Sequence, residues 1–277
     1  MSSATTAGPA TSSPYTPKIA FCFLVYDRIL QPEIWNTWFK QIQDQAVVLI
    51  HSSEPYVHML PDIHVEVIPR IETAWGKISI VEAQIAAFDA ALRHHTVAKI
   101  VLLSGSTIPV KDPKATLQAL LADPKSHIQF SNLAQVFPRY DCLLKSYPRD
   151  KIRKHSQWVI LNRLHASHLV SFKKDILRTF ADAPIPDEVA IGTALAAMGY
   201  LDSRMMELRQ PMLTSVDWDR GDPYTYDTIS DQDIERLVFD APRIFFARKF
   251  KADTRVVVPD HDGHSLYEYM HDLLGVV

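Results

Sequence analysis

The sequence has very little cysteine and no excess of charge of either sign. Two cysteines, Cys22 in an apolar run and Cys142 in a polar one, occur among 277 residues. They are too few for a disulfide framework, so each is predicted to be a reduced thiol. The formal net charge of -3 lacks the basic excess of nucleic-acid-binding proteins. We therefore expect a soluble, cytoplasmic protein that does not bind nucleic acid.

Long apolar runs are missing as well. No window comes near ~18 uninterrupted apolar residues, so no membrane span is expected. The first residues have neither the apolar core of a signal peptide nor the arginine-rich pattern of a transit peptide. They are rich in Ser, Thr, Ala and Pro, which predicts a disordered tail over residues 1–17. One domain over residues 18–277 should follow.

Three familiar phosphate- or metal-binding signatures are absent. The chain contains no G-x-G-x-x-G, no G-x-x-x-x-G-K-[ST] and no H-E-x-x-H. These absences exclude a dinucleotide fingerprint, a P-loop and that type of zinc site. Any phosphate site must be built from other residues.

The chain does contain alternating buried strands and amphipathic helices. Apolar runs of strand length occur at 18–27, 46–53 and 99–105, and helical spacing occurs at 32–42 and 78–95. This order predicts an α/β class protein, whose right-handed parallel sheet is covered by helices on both faces. The residues that follow the strands should lie at the carboxyl edge of the sheet, where such folds bind ligands.

Two adjacent acids, Asp187 and Glu188, follow two prolines at the start of a predicted helix over 188–200. One explanation is helix capping, with Asp187 as the N-cap and Glu188 in the first turn. The other is that one carboxylate acts as a general base at the sheet edge. The two are compatible, because Asp187 can cap while Glu188 does chemistry.

A second acidic pair forms a D-x-D pattern, Asp217 and Asp219. Carboxylate oxygens in this spacing can ligate a divalent metal. The R-G-D-P that follows instead indicates a turn-rich loop, and this interpretation is favoured. A basic stretch over 139–155 is typical of a solvated face, although its Tyr140 and Tyr147 could also line an acceptor groove.

Two cations, Arg248 and Lys249, stand side by side in the apolar hexapeptide "FFARKF". Adjacent like charges repel, and burying them is costly. An edge strand with both faces in water would accommodate the pair. A binding site for a dianion would accommodate it too, so the residues alone leave both interpretations open.

Seven short segments occur in an order that resembles the core-2/I-branching enzyme family of glycosyltransferases, family 14. They are "FLVYDR", "TAWGKIS", "LLSGSTIP", "SQWVILNR", "PDE", "VDW" and "FFARKF". That family includes branching N-acetylglucosaminyltransferases and peptide O-xylosyltransferases. The resemblance runs from about Lys18 to Phe250.

The resemblance implies a GT-A type fold, a single Rossmann-like domain with a mixed, mostly parallel sheet. It implies an inverting transfer of N-acetylglucosamine or xylose from a UDP-sugar to a hydroxyl of a glycan or other acceptor. No cofactor is expected. "LLSGSTIP" has no carboxylate where other GT-A enzymes have their metal-binding D-x-D, so no divalent metal is expected either.

The matching positions imply roles for individual residues. Glu188 matches the catalytic base, and Arg248 and Lys249 match the pair that binds the donor diphosphate. Adjacent residues on a strand point to opposite faces, so we predict a bend that lets both cations reach one anion. The nucleotide- or sugar-binding matches are Val25, Ser53, Trp75, Gly76 and Ser104. The matches on the acceptor side or site floor are Trp158, Asp187, Asp217 and Trp218.

One position departs from the family pattern. Ser53 lies in "HSS", where the animal enzymes have "HVD" with an Asp that contacts uracil. A serine hydroxyl can still hydrogen-bond a base edge. The three matched tryptophans, Trp75, Trp158 and Trp218, also fit ordinary core positions.

Two other functions remain possible at this point. One is a nucleotide-sugar-binding protein that retains the fold without catalysis, although the presence of Glu188, Arg248 and Lys249 argues against it. The other is a metal-dependent transferase or hydrolase that uses Asp217 and Asp219.

Overall fold

The computed structural model describes eight parts of the chain. They are residues 15–131, 136–200, 206–207, 213–220, 222–239, 243–259, 261 and 263–274. The predicted disordered tail, residues 1–17, lies almost entirely outside them. The division into this tail and one domain over 18–277 stays a prediction.

The described elements alternate between strands and helices, as the sequence pattern predicts. The strands are β1 (Lys18–Val25), β2 (Ala46–Ser52), β3 (Val65–Val67), β4 (Val97–Ser104), β5 (Ile108–Pro109), β6 (Ser126–His127), β7 (Ile160–Asn162), β8 (Met206–Glu207), β9 (Thr214–Val216), β10 (Tyr226–Ile229), β11 (Phe246–Arg248) and β12 (Phe250–Val256). The α-helices are α1 (Pro32–Lys40), α2 (Ile78–Arg93), α3 (Pro113–Ala122), α4 (Arg163–Ser171), α5 (Lys173–Thr179), α6 (Ala190–Ala197), α7 (Asp231–Ile234) and α8 (Leu266–Leu274).

The main sheet has seven strands in the order β3-β2-β1-β4-β7-β6-β8. The first four are parallel, β7 runs antiparallel to both β4 and β6, and β8 is parallel to β6. Phe21 of β1 lies opposite Val48 on one side and Val101 on the other. The predicted α/β class with a mostly parallel sheet is confirmed.

Helices cover both faces of this sheet because the buried strands present apolar side chains alternately to each side. Phe21 and Phe23 of β1 pack on the α1 face, where the Phe23 and Trp35 rings are 5.0 Å apart. Ala20 and Cys22 face the opposite side, toward α2. Burial raises the pKa of the Cys22 thiol well above its ordinary range. This cysteine is therefore an inert core residue.

Two small sheets lie beside the main sheet. β11 pairs with β5 and β9, whereas β12 pairs with β10. The chain therefore leaves one small sheet and enters the other at Lys249, which interrupts the strand. That both cations reach one anion there stays a prediction. The peptide bond between Arg248 and Lys249 is cis.

The structure changes one of the predicted helices, and a further segment is helical in two forms. The helix predicted over 188–200 is a 3-10 turn, Pro186–Glu188, followed by α6. The segment 231–239 begins as α7 and continues as a π-helix, Glu235–Phe239. No described helix combines the length and apolar character that a membrane crossing requires.

Candidate active site

The carboxyl ends of β1, β2 and β4 meet at one edge of the main sheet. The Ser53 amide donates to the Val25 carbonyl at 3.1 Å, and Leu24 pairs with Ser104 across β1 and β4. The parallel sheet therefore brings Val25, Ser53 and Ser104 together, as predicted. Ser53 also shares a hydrogen bond with the Thr73 hydroxyl.

The loop after β4 must pass very close to the loop after β1. A Cβ atom on Gly105 would lie 2.7 Å from the Arg28 carbonyl oxygen, so a larger residue would collide with backbone. The Leu30 amide donates to the Gly105 carbonyl at 2.8 Å. This close approach fixes the position of Ser104 at the sheet edge.

Arg248 is held at this edge by two contacts. Its Nε donates to Oγ of Ser104 at 3.1 Å, and its Cζ lies 4.2 Å from the centre of the Trp158 ring. Burial lowers the pKa of Arg248 to about 10. Across the described ranges it forms no ion pair with a carboxylate. A largely desolvated guanidinium thus lies at the carboxyl edge of the sheet, and no described carboxylate forms an ion pair with it.

Lys249 is close enough to Arg248 for the two positive charges to repel each other. Burial lowers its pKa, repulsion from Arg248 lowers it further, and Asp222 partly opposes both effects. Neither cation has an anionic partner close enough to count as a salt bridge in the described chain. The two therefore form an unneutralised pair.

Val216 of β9 lies opposite Arg248 of β11, so the "VDW" segment follows directly beside the cation pair. Asp217 is buried, and its Oδ2 contacts two arginines, Nη2 of Arg236 at 2.8 Å and Nε of Arg220 at 3.3 Å. Arg220 also contacts Asp233 at 2.6 Å. We call Asp217, Arg220, Asp233 and Arg236 the closed ion-pair cluster.

The cluster determines the charge of Asp217. Burial raises the pKa of Asp217, but hydrogen bonds from Arg236 and from the Asp219 amide, with attraction to Arg220, hold it below its ordinary value. The carboxylate is ionised and already neutralised by arginines. Within the described residues no group of three or more acidic, histidine or cysteine side chains could hold a metal ion.

The two acids of the "PDE" segment lie in a 3-10 turn that begins after Ile185, whose φ is 45°. Oε2 of Glu188 forms an ion pair with Nζ of Lys154, and the two atoms are 2.9 Å apart. Asp187 does not cap a helix, because α6 begins at Ala190 with Val189 as its N-cap. The capping explanation for Asp187 is therefore wrong.

Asp187 is instead a buried acid, 5% exposed, and its Oδ1 has no hydrogen-bond partner. Burial raises its pKa to about 6, and Glu188 adds to this while hydrogen bonding and Lys154 oppose it. Such a carboxylate is destabilised near neutral pH.

A short backbone segment connects the acid turn to the cation pair. The His155 amide donates to the Glu188 carbonyl at 2.7 Å, and Trp158, three residues later, lies under Arg248. Three residues span at most roughly 11 Å. Glu188 and Arg248 are therefore held by the same stretch of chain, one at each end.

The predicted aromatic positions differ in exposure. Trp75 is 83% exposed and Trp218 is 56% exposed, so the core interpretation of these two is wrong. Trp158 is half-buried and packs against the core. Gly76, at φ 68°, would place a Cβ 4.0 Å from Ile185, so the "TAWG" turn lies beside the acid turn.

The two tyrosines suggested for an acceptor groove differ in burial, and Tyr140 is excluded from it. Tyr140 is fully buried, and burial together with Glu188 raises its pKa to about 12. Tyr147 stacks on Phe180 with ring centres 5.6 Å apart. Sequence reasoning missed Lys154 and His155 as contacts of Glu188, because nothing in the local pattern links positions so far apart.

The chain is similar in sequence to known glycosyltransferases. A profile of the core-2/I-branching enzyme family matches residues 19–238. The chain is 24% identical over 306 residues to "Glycosyltransferase BC10" of Oryza sativa subsp. japonica, covering 86% of this chain and 74% of the rice protein.

Two solved glycosyltransferases are also similar. One is a glycosyltransferase involved in the glycosylation of the major capsid of PBCV-1. It is 14% identical, the match covers 94% of this chain and 100% of that chain, and the TM-score is 0.42. The other is the bifunctional glycosyltransferase WbbM. It is 9% identical, the match covers 96% of this chain and 51% of that chain, and the TM-score is 0.48.

The family profile includes Glu188 and the closed ion-pair cluster up to residue 238, and it ends before Arg248 and Lys249. The mixed, mostly parallel sheet is the one expected from the resemblance. Since the profile covers most of the chain, the protein belongs to the core-2/I-branching enzyme family and is a glycosyltransferase.

Proposed function

We propose that this glycosyltransferase moves a sugar, N-acetylglucosamine or xylose, from a UDP-sugar to a hydroxyl of a glycan or other acceptor. The transfer inverts the configuration and requires no divalent metal. Glu188 is the general base, and Arg248 and Lys249 bind the leaving diphosphate. Val25, Ser53, Trp75 and Gly76 are the proposed donor contacts.

The observation that carries this proposal is the unneutralised cation at the sheet edge. Keeping a desolvated guanidinium without a carboxylate costs free energy, which an anionic ligand would recover. Ser104 and Trp158 orient the Arg248 side chain in advance, so little reorganisation is needed when the diphosphate arrives.

The proposed reaction is a single displacement. The acceptor oxygen forms a bond to the anomeric carbon as the bond from that carbon to the β-phosphate oxygen breaks. The acceptor proton passes to the Glu188 carboxylate, and the electron pair of the broken bond leaves on UDP. Arg248 and Lys249 stabilise the charge that develops on the diphosphate. Attack from the face opposite the leaving group inverts the anomeric carbon.

The alternative metal site fits the structure less well. Asp217 would have to exchange two arginine partners for a cation, at the expense of the closed ion-pair cluster. Asp219 lies on a turn and contributes its backbone amide to Asp217. These contacts support the structural interpretation of the "VDWD" segment.

Calorimetric titration of UDP in the presence of EDTA tests the proposal. We expect wild-type affinity to persist in EDTA. The variant with both Arg248→Ala and Lys249→Ala should bind UDP ~100-fold or more weakly, because it loses at least two charge-assisted hydrogen bonds.

Lys251→Ala is the matched control. Lys251 is exposed on the adjacent strand and pairs only loosely with Asp227 at 3.8 Å, so its loss should leave UDP affinity unchanged. Wild-type affinity in the double variant, or UDP binding that requires Mn²⁺, would contradict the proposal. A donor-hydrolysis screen with UDP-, GDP- and TDP-sugars identifies the donor.

A further inference from the structure

Lys154 has a contact that the proposed reaction does not use. Its Nζ lies 2.9 Å from Oε2 of Glu188, and the two side chains are only 21% and 23% exposed. An ammonium group has three N–H donors. Glu188 is its one partner among the described residues, so two donors remain available.

The position of this ammonium places it beside the acceptor. A general base contacts the attacking hydroxyl at about 2.6–3.2 Å. An acceptor hydroxyl on Oε2 of Glu188 therefore lies within about 6 Å of Nζ of Lys154, which is about the width of one sugar ring. A second substituent of the same sugar can reach the ammonium.

The surrounding chain carries an excess of positive charge. Residues 139–155 contain six lysines and arginines against two aspartates. Lys154 is the one member of these six that forms an ion pair within the described ranges. Arg139 adjoins Tyr140, whose hydroxyl lies in the field of both Glu188 and Asp187. The stretch that contributes Lys154 therefore carries a net positive charge.

We propose that the acceptor carries an anionic group, a carboxylate or a phosphate, on the sugar that receives the transfer, and that Lys154 binds it. This inference rests on the proposed function, since it takes Glu188 as the base that contacts the acceptor. Lys154 then has two roles in succession. It orients Glu188 in the free enzyme, and it selects a charged acceptor in the complex.

Three matched probes test the inference. They are 4-nitrophenyl β-glucoside, the corresponding β-glucuronide and the corresponding 6-phosphoglucoside, each titrated by NMR into enzyme saturated with UDP. We expect the two charged probes to bind about tenfold or more tightly than the glucoside, the scale of one charge-assisted hydrogen bond. The tighter of the two charged probes distinguishes a carboxylate from a phosphate acceptor.

Substitution of Lys154 sharpens the test. Lys154→Met should remove the preference for the charged probes, and Lys154→Arg should retain most of it. Lys145→Met is the matched control, since Lys145 is an exposed cation of the same stretch without an ion pair in the described chain, and it should keep the preference. UDP affinity and thermal melting are measured on each variant.

Two results would overturn the inference. One is equal or absent binding of the charged probes by the wild-type enzyme. The other is a preference that survives in a folded Lys154→Met variant. If UDP still binds normally in these cases, the acceptor inference alone fails. If UDP does not bind to the wild type, the proposed function itself fails.

Discussion

Two groups of charged residues lie side by side in this enzyme, and they differ in how their charges are balanced. In the closed ion-pair cluster, Arg220 and Arg236 are neutralised by buried carboxylates at 2.6–2.8 Å. In the adjacent strand, Arg248 contacts a hydroxyl and an aromatic ring but no carboxylate in the described chain. Arg220 and Arg236 are therefore already paired with carboxylates, whereas Arg248 is still able to bind an anionic ligand.

The difference shows why residue type alone is a poor guide to an anion site. An arginine whose charge is neutralised inside the fold contributes mainly to stability. An arginine held by neutral groups remains able to bind an anion. The four variants below test this contrast, in order of decreasing expected effect.

Glu188→Gln should lower turnover by ~100-fold or more while UDP affinity stays within about twofold, because the amide cannot accept the acceptor proton. Steady-state kinetics and UDP titration measure the two effects. Glu82→Gln is the control, since Glu82 also pairs with a lysine, Lys173, at 3.2 Å. Unchanged turnover in Glu188→Gln would remove this residue from the role of base.

Arg236→Ala should lower the free energy of unfolding by about 1–3 kcal/mol, because it removes the shorter of the two arginine contacts of buried Asp217. UDP affinity of the folded variant should stay unchanged. Denaturant titration measures the loss. Arg243→Ala, at a half-exposed arginine 3.8 Å from Asp123, should cost less than about 0.5 kcal/mol. Lost UDP affinity in folded Arg236→Ala would break the contrast.

Asp187→Asn should raise stability above pH 6. Burial raises the pKa of Asp187 from 3.8 to about 6, so the folded chain keeps a proton that the unfolded chain loses between these values. Stability therefore falls as pH rises through this window, and the loss is complete above it. The neutral amide avoids the loss, which predicts a gain of roughly 1–3 kcal/mol at pH 7.5 and little change at pH 4.

Denaturation at the two pH values measures this effect. Asp182→Asn is the control, because Asp182 is exposed and should change stability little at either pH. A gain of the same size at pH 4 and pH 7.5 would show that ionisation of Asp187 is not its cause.

Trp158→Leu should weaken UDP binding by about 3- to 10-fold, the scale of one cation–π contact with Arg248. Trp158→Phe should recover part of the affinity. Phe172→Leu, at an exposed ring between α4 and α5, is the control. Equal affinity in Trp158→Leu and the wild type would mean that Ser104 alone orients the guanidinium.

Much of the fold could be predicted because its signals are local. The apolar runs that became β1, β2 and β4, and the helical spacing in α1 and α2, follow from periodicities of two and 3.6 residues. The short 3-10 turn at 186–188 could not be predicted, because its Glu188 carbonyl accepts a hydrogen bond from the distant His155 amide. The α-helix begins only at Ala190.

The candidate site was predicted in part. Parallel strands meet at one edge, so Val25, Ser53 and Ser104 were expected to converge. The exposure of Trp75 and the isolation of the Asp187 carboxylate were not expected. Both depend on how distant segments pack, and a local pattern contains no information about this.

The sequence by itself determined the α/β order, the family and the candidate residue types, because these depend on local periodicity and on short motifs. Only the tertiary structure decided which charges are neutralised. Ser104 and Arg248 are 144 positions apart in the sequence, and Lys154 and Glu188 also come from separate segments of the chain. Charge balance depends on distance and burial, and folding brings these groups within a few ångströms of one another.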